Sequence, residues 1–188
     1  MSAEAEKREK IPGYEWRYVP EMDMWVPMPE TWFFSWGKTT TMDIGFMISR
    51  DSIPQDVNIA FVTGLSVGVI REFSRKTKSS LRDTVMIDLL RMGDESLQAI
   101  STMATTSSPP VLSSRMLFAH KGVIAVMNKG IGEEIFSIKP FIADQMIAGN
   151  TETDTFYHIV FTAKRPEWHQ LKPFSETMIR NIKFSKTF

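Results

Sequence analysis

The chain has 188 residues, 43% hydrophobic and 23% charged, enough for a single domain with one sizeable core. Its 22 basic and 22 acidic residues cancel, so no overall field steers it toward nucleic acid or an anionic membrane. It has no cysteine, which excludes disulfides, thiolate metal sites and thiol nucleophiles.

Residues 1–10 are charged and lack the apolar segment of a signal peptide. Residues 1–13 are therefore expected to form a flexible N-terminal tail ahead of a single domain over 14–188. Apolar runs are short and broken by charges, so no transmembrane helix is expected. The compartment stays open: cytoplasm if Met1 is the natural start, cell envelope or lumen if a leader was removed.

From Tyr14 to Trp36 the composition turns aromatic, with Trp16, Trp25, Trp32 and Trp36 close together. Pro27 and Pro29 hold an extended path between them, which predicts an edge strand and a turn. Ile44, Phe46 and Ile48 alternate with Gly45, Met47 and Ser49, the period of a strand. Residues 51–58 read as a polar loop. Residues 63–73 read as a strand with Leu65, Val67 and Val69 on one face, where Gly64 and Gly68 mark a bulge or close packing against a helix.

A helix is predicted from Ser80, which caps it with Asp83 in its first turn, to Gly93. Leu81, Val85, Leu89 and Met92 form its apolar stripe. A second short helix is expected over 94–103 and a loop over 105–110. Residues 115–119 and 123–127 flank His120-Lys121-Gly122 as a hairpin. Residues 135–141 read as a strand bent or ended at Pro140, and 144–154 as a short apolar bit followed by a polar loop. The last strand carries Tyr157, Ile159, Phe161 and Ala163 on one side, with Phe156, His158, Val160 and Thr162 opposite. Both sides are partly apolar, as for an interior strand. Pro166 then starts a helical turn with Trp168 and Leu171, and Pro173 restarts it for Phe174, Met178 and Ile182.

This order resembles a known group. Val26-Pro27-Met28-Pro29-Glu30-Thr31-Trp32 opens it, followed by a strand ending in Ile48-Ser49-Arg50-Asp51. Phe61-Val62-Thr63-Gly64-Leu65-Ser66-Val67 and a central helix follow. Thr155-Phe156-Tyr157-His158-Ile159-Val160-Phe161 and the Pro166-Glu167-Trp168 turn lead into the terminal helix. The pattern resembles the PsbP-like family, whose fold is shared with the Ran-binding Mog proteins and the DcrB lipoproteins, over roughly residues 24–184. The resemblance implies an α/β sandwich: a central antiparallel sheet of about six strands with helices on both faces. It also implies an accessory or binding role, as for PsbP on photosystem II or Mog proteins on the Ran GTPase. Its motifs are packing motifs, and no functional residue is carried over.

Chemistry-bearing residues are sparse. His120 lies in a predicted turn, His169 on the exposed side of a helical turn and His158 on a strand. His158 is the exception to a structural role, with Thr155 and Tyr157 beside it, but strand alternation puts Tyr157 on the opposite face. Glu133, Glu134, Asp144, Glu152 and Asp154 offer oxygens to a hard cation without the spacing of a calcium loop. Gly130-Ile131-Gly132-Glu133 is too short to cradle phosphate. Arg71, Arg75, Lys76, Lys78 and Arg82 form the densest basic run, suited to an acidic partner or a lipid headgroup.

These features suggest a non-enzymatic accessory protein with no cofactor and no nucleic-acid ligand, engaging a protein partner through Trp16, Trp25, Trp32, Trp36, Arg71, Arg75 and Lys76. The tryptophans have a second reading, as staples holding the N-terminal arm across the sheet. Alternatives are a small-ligand or metal-binding module at His158 or the acidic loop 144–154, a hydrolase built on His158, and an immunity-type protein neutralising a partner.

Overall fold

The computed structural model describes residues 8–37, 42–52, 63–85, 102–105, 111–129 and 134–184. The strands are β1 (Tyr14–Val19), β2 (Met24–Pro29), β3 (Phe33–Gly37), β4 (Ile44–Ser49), β5 (Gly64–Ile70), β6 (Thr102–Thr105), β7 (Val111–Lys129), β8 (Glu134–Asn150), β9 (Thr155–Lys164) and β10 (Lys183–Phe184). A short helix spans Phe73–Thr77, residues 81–85 are helical, and a C-terminal helix runs over Trp168–Asn181.

The strands form two antiparallel sheets. The larger has the order β3-β4-β5-β9-β8-β7-β6, and the smaller the order β1-β2-β10. The fold is therefore mixed α/β, and the described residues form two sheets of seven and three strands where one sheet of about six was expected. Strand β9 lies between β5 and β8, which explains why both its faces are apolar. Tyr157, Ile159, Phe161 and Ala163 are buried in the main core with Leu65, Val67 and Val69 of β5. Phe156 joins Ile147, Phe73, Leu81 and Val85 in a second cluster. Alternation along β9 puts these two clusters on opposite faces of the larger sheet.

The C-terminal helix fills the space between the sheets. Trp168, Leu171, Met178 and Ile179 are buried in the same cluster as Met24, Val26 and Met28 of β2. The helix runs unbroken through Pro173, which lies exposed, where a restart was expected. Trp32 is one of the staples: its ring stacks between Phe161 (6.1 Å between centroids) and Phe174 (5.4 Å).

Several local expectations hold. Strand β4 has the expected bounds. The Asp83 amide donates to Ser80 Oγ (3.3 Å) as a capped helix start requires, and Leu81 and Val85 are buried. At Gly64, however, the close approach is to strand β4 and not to a helix as expected: a Cβ there would run into the Ile48 carbonyl oxygen. The rest of the helix predicted from Ser80, residues 94–101 of the second one, the 53–58 and 106–110 parts of the loops, the Phe61–Val62 part of the Phe61–Val67 motif, and Gly130 to Glu133 lie outside the described residues.

Other expectations are corrected. Met103 and Thr105 belong to β6, outside any helix or loop. His120, Lys121 and Gly122 lie inside β7, whose register against β8 shifts between Met116 and His120. The hairpin composition thus marks an irregularity in one long strand. Strand β8 runs through Pro140, which pairs with Val123 of β7, while pairing with β9 begins only at Phe141. Pro140 needs no second partner there, so its missing amide breaks no ladder bond on that side. Residues 144–150, expected to lead into a loop, continue β8, and the turn is confined to 151–154.

Replacing Trp32 by Ala removes the ring stacked between β9 and the helix. Chemical denaturation should show a loss of about 3–5 kcal/mol, as for other buried large aromatics.

Candidate functional site

The smaller sheet presents an aromatic outer face. In β2, Met24, Val26 and Met28 point into the core, so the pleat turns Trp25 outward. Tyr18 pairs directly across from Trp25, and Trp16 from Pro27. The Tyr18 and Trp25 rings lie 4.9 Å apart, and Tyr18 is exposed. The Tyr18 hydroxyl donates to Asp23 Oδ1 (2.7 Å), which fixes the ring.

The chain ahead of β1 folds back over this face. The Tyr14 amide bonds the Ile11 carbonyl (3.1 Å), Gly13 takes a φ of 78°, and the Glu30 amide bonds the Gly13 carbonyl (3.1 Å). That turn places Glu9 so that the Trp16 indole N–H donates to its carbonyl (3.1 Å). The Arg8 guanidinium then lies 3.7 Å from the centroid of the Trp25 ring and 6.0 Å from that of Trp16. Both distances are within cation–π range.

The four neighbouring tryptophans thus have three fates. Trp16 and Trp25 share the outer face, Trp32 is buried, and Trp36 lies on β3 at the edge of the larger sheet. Trp36 is 49% exposed and meets Phe34 and Phe46 edge-on, while Phe33, on the other side of β3, is 47% exposed. Arg17 of β1 reaches the Phe34 ring at 4.5 Å, linking the two aromatic groups.

Two charges of the basic run, Arg75 and Lys76, are paired with nearby carboxylates. Asp43 accepts the Arg71 backbone amide (2.7 Å) and pairs with Lys76, and Arg75 pairs with Glu72. Burial alone would raise the Asp43 carboxyl, but the bonds from Lys76 and the Arg71 amide outweigh it and hold the group below its ordinary value. The Arg71 guanidinium bonds the Glu21 carbonyl, tying the turn before β2 to the larger sheet. These charges act first as braces between elements.

The polar candidates are separated by the sheet. His158 faces away from the main core, and the Gln145 amide donates to its Nε2 (2.7 Å). Tyr157 and Thr155 point to the other side and are buried. Asp144 is on that core side too, where the Ser175 hydroxyl of the C-terminal helix donates to its Oδ2 (2.6 Å). Asp154, at the far end of the turn, accepts the Ser74 amide (2.9 Å) and hydroxyl (2.8 Å), capping the short helix Phe73–Thr77. The acids of 144–154 therefore point into different environments. Among the described residues no three His, Asp or Glu side chains gather as a metal site. No helix among them is long and apolar enough to cross a membrane.

Sequence reasoning passed over Arg8, Tyr18 and Asp23. Tyr18 and Asp23 lay within the aromatic stretch, two residues from Trp16 and Trp25. Arg8 carried no signal, being one charge in a charged tail.

No protein-family model and no curated protein matches the sequence. Among solved structures, a crystal structure from Bacteroides thetaiotaomicron is similar over 93% of this chain, with a TM-score of 0.46 and 11% identity. The chain spans 50% of the length of that protein. The solution structure of a cyanobacterial PsbP (CyanoP) from Synechocystis is similar over 94% of this chain and 95% of its own, with a TM-score of 0.43 and 11% identity.

The buried Asp144 gives a pH signature. Burial raises its carboxyl to about 6, against the Ser175 hydroxyl bond and Lys172, which favour the charged form. The folded chain thus holds the proton more tightly than the unfolded one. Stability from this group is greatest below about pH 4, falls as pH rises to about 6, and is level above that. Asp144→Asn should therefore be more stable than the natural chain at pH 7, on the order of 2 kcal/mol. In denaturation measured across pH 3.5–7.5, the advantage should vanish toward the acid end.

Proposed function

We propose that the protein is a non-enzymatic accessory protein that binds a protein partner through an aromatic surface: exposed Tyr18 with half-buried Trp16 and Trp25 on the smaller sheet, and exposed Trp36 at the adjoining edge. One observation carries this reading. Met24, Val26 and Met28 already fill the core beneath β2, so the outward Trp25 and Tyr18 are not required for packing there. Large rigid aromatics at such positions are the side chains that contribute most to protein–protein contacts. Trp32 leaves the original set because it is a core residue, and Arg71, Arg75 and Lys76 stay at its margin as braced charges.

The rival enzymatic reading is disfavoured by geometry. His158 is separated by the sheet from the Ser175–Asp144 pair, and its Nε2 is held by Gln145. A nucleophile needs its base within hydrogen-bond reach, so His158 cannot activate Ser175. The immunity-type reading is a special case of the same surface meeting one dedicated partner. The small-ligand reading gains no support from the diverging acids.

The double variant Trp25→Ala, Trp36→Ala tests the proposal. It should keep the far-ultraviolet spectrum of the natural chain and lose, by at least tenfold, proteins retained in a quantitative pull-down from the source cells. A folded double variant that retains every partner at full level would refute the reading.

A further inference from the structure

The smaller sheet already holds a ligand, and the ligand is part of the chain. Residues 8–10 lie across the outer face much as a bound peptide would. The Glu9 carbonyl accepts the Trp16 indole N–H (3.1 Å), and the Arg8 guanidinium stacks over the Trp25 ring at 3.7 Å. One contact recognises backbone and the other recognises a planar cation. Tyr18, 4.9 Å from Trp25, walls the platform, and its hydroxyl is turned away to Asp23.

We infer that this face is a docking site for an arginine-bearing peptide segment of a partner, and that Arg8 occupies it as an intramolecular stand-in. This assignment rests on the partner-binding reading above and names the chemistry of its contact. A guanidinium is favoured over other groups because it is planar, weakly hydrated and drawn to the negative face of an indole. The segment that carries the stand-in leads into the turn of residues 11–14, which ties it to the sheet. A competing arginine has to displace the stacking of Arg8 on Trp25 and Trp16, while the turn of residues 11–14 keeps Arg8 at a high local concentration. The tail sets a threshold: a weak basic segment is excluded and a well-matched one displaces it.

The test is fluorescence anisotropy of a fluorescein-labelled tetra-arginine peptide, with labelled tetra-glutamate in parallel. The full chain is compared with Arg8→Ala and with Arg8→Ala, Trp25→Ala, each checked for folding by circular dichroism. Arg8→Ala should bind tetra-arginine about 3- to 30-fold more tightly than the natural chain, the range that loss of one cation–π competitor allows. Removing Trp25 in that background should abolish the gain, and Trp25→Phe, should the alanine variant fail to fold, should give an intermediate affinity. Equal affinity of Arg8→Ala and the natural chain would overturn the inference, as would a gain that survives loss of Trp25, a preference for tetra-glutamate, or no binding at all. If these fail while the Trp25, Trp36 double variant still loses its partner, the partner-binding reading stands and only the arginine assignment falls.

Discussion

The structure depends on one wedge, the C-terminal helix between the two sheets. Trp168, Leu171, Met178 and Ile179 put apolar side chains against β9 on one side and β2 on the other. The smaller sheet has three strands, and β10 adds only two residues to it. A sheet of that size is not stable in water without a surface to lie on. The helix supplies that surface, and Phe184 of β10, packed on Tyr157 at 4.8 Å, fastens the far side of β2. Trp32 and Tyr14 add to the clamp through Phe174, which both rings touch.

The aromatic face follows from this wedge by the pleat alone. Once Met24, Val26 and Met28 are committed to the helix, Trp25 has no choice of side, and the register then sets Tyr18 beside it and Trp16 one pair further on. The helix also covers a buried carboxyl. Ser175 brings a hydroxyl to Asp144 in a buried place, and a carboxylate there is held at the expense of its hydration. The wedge thus fixes the outward surface and places a titratable group under the helix that makes that surface possible.

What was legible in the sequence was local. The alternation of β4, β5 and β9 and the cap at Ser80 could be read from neighbours alone. The failures came where a residue's partner lies far along the chain. Asp144, Gln145, Gly149 and Asn150 have the composition of a loop, yet each is accommodated in β8: by Ser175, by His158, by close packing of Leu81, and by capping the amides of Glu152 and Thr153. His120-Lys121-Gly122 has the composition of a turn, yet a long partner strand carries the chain through it with a shifted register. The positive run from Arg71 was visible, but Asp43, its counter-charge, belongs to the approach to β4. Of the site, the sequence showed where the tryptophans cluster; their sorting into core and surface needed the helix.

That sorting is open to direct measurement. The five tryptophan indole N–H signals, assigned in a nitrogen–proton correlation spectrum, can be followed as a soluble paramagnetic agent is added. Broadening of Trp36 and Trp25 ahead of the others, with Trp32 and Trp168 protected, is the outcome the account predicts. Early broadening of Trp32 or Trp168, with Trp25 and Trp36 shielded, would contradict it, because the helix would then not be seated between the sheets.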